Sequence, residues 1–199
     1  MEKQLIISIG REFGSGGHEI ADMLAKKFNL TLYDNNLLQT IADEKNVDGQ
    51  ALKKYDENPR NTWFSRNVRG YSNSMEENLA NMQFDFLRKQ AEKGDSFVVV
   101  GRCAETILKA NSALISIFVL GDWEHKVERI TKLYDMSAQE AEVFINRQDT
   151  KRKTYHNYYC KGKWGDSRNY DISVNSSKLG EEMTADILID YIEKRQNLK

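Results

Sequence analysis

The stretch "IISIGREFGSGGHEI", residues 6–20, decides how the rest of the chain is read. A β-branched apolar run opens into four glycines within eight positions (Gly10, Gly14, Gly16, Gly17), and a helical pattern follows. A strand feeding a glycine-rich turn and then a helix is the local geometry of a phosphate cradle. The first N–H groups of a helix have no intrahelical acceptors, the helix dipole adds about half a positive charge there, and glycine lets the backbone approach an anion. Compared with G-x-x-x-x-G-K-[ST], the loop holds one extra residue and Gly17 stands where lysine is expected.

Gly10, Gly14, Ser15, Gly16, Gly17, His18 and Glu19 are therefore the candidate phosphate-binding residues. The plain alternative is a tight turn from strand to helix. A dinucleotide fingerprint with Asp34 as its ribose ligand fails on glycine spacing. A lysine-free cradle still binds phosphate but stabilises developing charge poorly, so an active enzyme must bring a cation from elsewhere. Arg11, always charged and able to bond bidentately, is the first candidate; His18, partly protonated near neutral pH, is the second. Pairing of Arg11 with Glu12 to shape the loop is the bland reading.

Outward from the loop, strands are predicted at Leu5–Ile9, Phe97–Val100, Leu114–Leu120 and Ile172–Val174, separated by segments of helical period. That alternation predicts a parallel sheet with crossover helices. Ile20, Met23, Leu24 and Phe28 give one helical stripe, Val127, Ile130 and Leu133 another after a cap at Asp122, and Met183, Ile187, Leu188 and Tyr191 a last one. Ser137 with Glu140 predicts a capping box.

The length of 199 residues suits one domain, and 40% hydrophobic with 30% charged residues is an ordinary globular composition. A net charge of −1 offers no field for nucleic acid or membrane, and no apolar run reaches membrane length. No signal-peptide pattern opens the sequence, so a cytoplasmic location is expected. Cys103 and Cys160 form no CxxC or Cys/His metal spacing, so neither a disulfide scaffold nor a zinc site is expected, and His125 and His156 read as surface residues. Cys103 reads as a small packed side chain.

Charge is uneven in one place: Arg147 to Arg168 contains seven basic residues against two acidic ones. Around Pro59, the only proline, "ENPRNTWFSRNVRGYSNS" reads as a loop-rich insertion. There Arg60, Arg66 and Arg69 alternate with Trp63, Phe64 and Tyr71, an arrangement suited either to stacking a base beside its phosphate or to ordinary loop packing.

Four stretches together carry a family likeness: "GREFGSGGHEI" at 10–20, "LYDNNLL" at 32–38, "VVVGRCAETIL" at 98–108, and "NRQDTKRKTY" at 146–155 followed by "KWGDSRNYDISVNSS". The chain resembles the nucleoside-monophosphate kinases, most closely the cytidylate-kinase-like proteins with "GREFGSGG" in place of a standard P-loop. The resemblance implies a three-layer α/β/α P-loop fold with a parallel sheet, a helical acceptor-binding insertion at about 35–95 and a basic lid at about 146–168. It implies ATP on the loop, with Mg2+, and transfer to a small acceptor, first a pyrimidine nucleoside monophosphate. It places Arg102 near the acceptor; Asp34 and the basic residues Arg66, Arg69 and Arg147 are further acceptor candidates. Asp149 and Arg152 match the lid's D-x-x-R, so that Arg11, Arg102, Asp149 and Arg152 form the expected catalytic set. Glu12 and Glu19 flank the loop and could reach a metal through water, but the residues assign no metal ligand. The rival reading is a non-catalytic nucleotide or phosphate sensor that keeps the cradle without turnover.

Overall fold

The structure is a computed structural model and describes residues 3–45, 67–68, 71–72 and 75–197. Five parallel strands form the sheet: β1 (Ile6–Arg11), β2 (Thr31–Tyr33), β5 (Phe97–Val100), β6 (Leu114–Leu120) and β7 (Ile172–Asn175), in spatial order β2-β5-β1-β6-β7. A two-stranded antiparallel pair, β3 (Asn67–Val68) and β4 (Tyr71–Ser72), stands apart. Seven helices accompany them among the described residues: α1 (Gly17–Lys27), α2 (Leu37–Lys45), α3 (Met75–Glu92), α4 (Ala104–Ile107), α5 (Trp123–Tyr134), α6 (Ala138–Tyr159) and α7 (Gly180–Asn197).

Alternation along the strands divides the core into two faces. Ile7, Ile9, Val98, Val100, Ile115, Ile117 and Val119 pack on Ile20, Ala21 and Leu24 of α1 and on Ala185, Leu188 and Ile192 of α7. Ile6, Phe97, Val99 and Leu114 point the other way, onto Leu37 and Ile41 of α2 and Phe86 and Leu87 of α3. A parallel sheet covered on both faces explains why its strands are near-continuous apolar runs. The three-layer α/β/α arrangement is the fold class predicted from the sequence.

Two boundaries differ from the periodicity in ways that matter. The first strand runs on to Arg11, whose register partner in β6 is Val119, so Arg11 is a strand residue rather than a loop residue. In α7, Met183 and Ile187 are exposed, and Thr184, Ala185, Leu188 and Ile192 are buried instead. Small residues on that face let α7 approach α1 closely, which a search for large apolar side chains overlooks.

Strand β1 lies at the centre. The chain leaves it for β2 on one side, and the β5 to β6 connection crosses to the other, so the carboxyl ends of β1, β5 and β6 meet where the strand order reverses. Crevices for ligands form at such a point. No helix of the described residues is long and apolar enough to cross a membrane.

Candidate functional site

Residues 10–17 leave β1, turn, and enter α1 at that crevice. Gly16 is the N-cap at φ 72°, and the first intrahelical bond runs from Ile20 N–H to the Gly16 carbonyl at 3.0 Å. The amides of Gly17, His18 and Glu19 precede that first bond, so they make up the cradle's donors. Ser15 is buried; its hydroxyl donates to the Glu12 carbonyl at 2.9 Å, and its own carbonyl accepts from the Ser176 hydroxyl at 2.6 Å. Ser15 thus holds the turn in shape.

A buried cation anchors the loop from beneath. Lys126 of α5 is 5% exposed, and its Nζ lies 2.9 Å from Glu12 Oε2 and 3.5 Å from Asp149 Oδ2. Asp149 also accepts the Phe13 N–H at 2.6 Å. Burial pushes the Asp149 carboxyl above its ordinary range, against the pull of the Phe13 amide, Lys126 and Arg152. Asp149, which the family likeness places in the expected catalytic set, thus reaches the loop from α6. Lys126 escaped the sequence reading, because nothing local marks one lysine of a helix as buried.

The space a P-loop lysine would need is filled. A Cβ added to Gly17 would lie 2.6 Å from Arg11 Cβ, and one added to Gly101 would lie 2.5 Å from Arg11 Nη1. The Arg11 side chain thus passes Gly17 and reaches across to the end of β5. Arg152 Nη1 donates to the Arg11 carbonyl at 3.3 Å, and the Arg152 guanidinium sits 5.2 Å from the centroid of Phe13.

A cleft of about 290 Å3 opens over this surface, lined by the loop, His18, Asp34, Arg129, Tyr134 and Arg152 among others. His18 is half exposed, with Nε2 3.7 Å from Asp34 Oδ2. Asp34 Oδ1 accepts the Asn36 N–H at 2.9 Å. Glu19 is engaged by Arg129, which also meets Glu181 of α7 at 3.0 Å. The Arg129 and Glu181 pair is a second feature that the sequence did not reveal.

A narrower cavity of about 30 Å3 lies behind the first, lined by Gly10, Arg11, Arg102, Arg152, Tyr155 and Trp164 with their neighbours. Arg102 is buried, and the three residues after β5 are all left-handed: Gly101 at φ 76°, Arg102 at 60° and Cys103 at 54°. For a non-glycine residue that conformation costs on the order of 1–3 kcal/mol and persists where the surroundings enforce it, commonly at functional sites. Trp164 packs edge-on against Phe118 at 5.5 Å, fastening the segment after α6 to the sheet. Arg147 is exposed on α6 and lines neither cavity. Arg66 and Arg69, with Arg60, Trp63 and Phe64, lie outside the described residues.

His156 corrects the sequence reading outright. It is buried, not on the surface, with Nε2 2.9 Å from Glu105 Oε1. Cys160 Sγ is 3.9 Å from the same oxygen. His156 and Cys160 sit four residues apart, one turn of α6, and that i, i+4 spacing is the signal that could have found them.

Comparison with known proteins agrees with this geometry. The model of the cytidylate kinase-like family matches residues 6–178. The chain is 29% identical over 180 residues to a cytidylate kinase of Methanococcus aeolicus, covering 87% of this chain and 89% of that one. An uncharacterized protein from Eubacterium ventriosum superposes with a TM-score of 0.76 at 38% identity, over 96% of this chain and 99% of its own. A shikimate kinase from Bacteroides thetaiotaomicron shares the fold at a TM-score of 0.56 and 13% identity, over 95% of this chain and 98% of its own.

Proposed function

The chain belongs to the cytidylate kinase-like family, and from that premise we propose that it transfers the γ-phosphoryl group of ATP to a small acceptor, first a pyrimidine nucleoside monophosphate. The observation that carries this reading is the shared wall of the two cavities. Arg11 and Arg152 line both, and Arg102 lines the inner one alone. Two phosphates, one on the α1 cradle and one against Arg102, would meet between Arg11 and Arg152.

Phosphoryl transfer asks for in-line placement, exclusion of water and positive charge on the migrating oxygens. The cradle amides hold the donor's phosphates, Arg11 takes the place of the missing lysine, and Arg152 bridges donor and acceptor by bidentate bonds. Asp149 and Lys126 act through the loop they hold. The inner cavity has room for about one or two waters, so admitting an acceptor requires its wall to open and close again.

Magnesium fits one place on the cleft wall. Glu12 is bound to Lys126 and Glu19 to Arg129, whereas among the described residues Asp34 Oδ2 has the His18 ring beside it, at 3.7 Å. Asp34 is thus the carboxylate that would hold the ion, which when bound neutralises the β- and γ-phosphates.

One observation favours the rival: Gly17 leaves the loop without its lysine, as in a sensor that binds nucleotide and does not turn over. A panel of nucleoside monophosphates and small phosphorylated metabolites, screened for thermal stabilisation with ATP and Mg2+ and then for turnover, separates the two. Acceptor-dependent ADP formation supports the kinase; stabilisation by ATP without turnover on any acceptor supports the sensor.

A further inference from the structure

We propose that Glu105, His156 and Cys160 form a binding site for a single zinc-type divalent ion, joining the start of α4 to the end of α6. The three ligand atoms lie within 4.8 Å of one another and all three residues are buried. Tetrahedral zinc, with bonds of about 2.0–2.3 Å, sets its ligands roughly 3.3–3.8 Å apart. The His156 to Glu105 separation of 2.9 Å and the Cys160 to Glu105 separation of 3.9 Å need only small shifts to meet that. One nitrogen, one sulfur and one carboxylate oxygen make a donor set for zinc or cobalt rather than for magnesium or calcium.

Charge points the same way. A neutral imidazole, a carboxylate and a thiolate around a divalent cation sum to zero, which suits a site cut off from water. Metal-free, the trio must be balanced by protons.

Glu105 and His156 also line the inner cavity, beside Arg11 and Arg102, but the test of the metal site needs no nucleotide. Titration of the full chain with Co2+ should produce, at one equivalent, a thiolate-to-cobalt charge-transfer band in the near ultraviolet and tetrahedral bands in the visible, both abolished by Zn2+. Cys160→Ser should remove the charge-transfer band, and His156→Gln should weaken Co2+ binding by about tenfold or more, each in a chain shown to be folded by far-ultraviolet circular dichroism. If His156→Gln does not fold, Cys160→Ser alone decides. A folded wild-type chain with no cobalt bands, or a charge-transfer band that survives Cys160→Ser, overturns the site. Because phosphoryl transfer is measured separately with Mg2+, that failure would leave the kinase reading untouched.

Discussion

Arg11 and Gly17 compete for one space. With Arg11 Cβ only 2.6 Å from where a Gly17 Cβ would stand, the loop can carry an arginine on the strand or a side chain at the helix start, but not both. Gly17 is not left-handed, so it is room and not backbone conformation that forbids a lysine there. Arg11→Ala should lower kcat by about 100- to 1,000-fold, the loss seen when one transition-state donor is removed, while His18→Ala should change it only a few-fold. Gly17→Lys alone should destabilise the fold, and Arg11→Gly/Gly17→Lys should recover part of the lost turnover. Steady-state kinetics on the four variants decides the point.

Arg152 touches the loop at two places, the Arg11 carbonyl and the Phe13 ring, and faces both cavities. If its main contacts form in the closed, reacting complex, Arg152→Ala should cut kcat by roughly 100-fold or more with a much smaller change in ATP affinity. Equal losses in kcat and ATP binding would make it a loop support.

Lys126→Met removes the buried cation between two carboxylates. Leaving Glu12 and Asp149 uncompensated should cost about 3–5 kcal/mol, visible as a large fall in the urea midpoint. Restoring stability by adding Glu12→Gln would identify charge, not packing, as the cause.

Asp149 separates hydrogen bonding from ionisation. Asp149→Asn keeps an acceptor for the Phe13 N–H and should change stability little, whereas Asp149→Ala should cost about 1–3 kcal/mol by stranding that donor. The sign of the pH effect follows from the raised folded pKa. Between the unfolded value of 3.8 and the higher folded value the native chain binds more protons, so wild type should gain stability over Asp149→Asn as pH falls through that window. A difference independent of pH would show that burial does not perturb this carboxyl.

Much of this was legible because the signals are local. Phe97–Val100 and Leu114–Leu120 end where their apolar runs end, and the Ser137 and Glu140 capping box is present with both reciprocal bonds. Strand β2 went unseen because three residues beginning with an exposed threonine carry no period. The site was legible in its cradle, whose glycines fall within eight consecutive positions, and illegible wherever its parts come from distant elements. Lys126, Arg129 and Glu181 look like any solvated helix charge until α5 and α7 fold over the loop. His156 misled for the same reason: its partner Glu105 is fifty-one residues away.

The kinase reading requires that the lysine-free cradle support phosphoryl transfer. Its most direct test is transfer of labelled γ-phosphate from ATP, with Mg2+, to pyrimidine nucleoside monophosphates by wild type and Arg11→Ala, with ATP binding measured in parallel. Wild type should yield a labelled diphosphate product, and Arg11→Ala should lose that product far in excess of any loss of ATP affinity. Tight ATP binding by wild type with no labelled product on any acceptor, or product formation indifferent to Arg11, would contradict it.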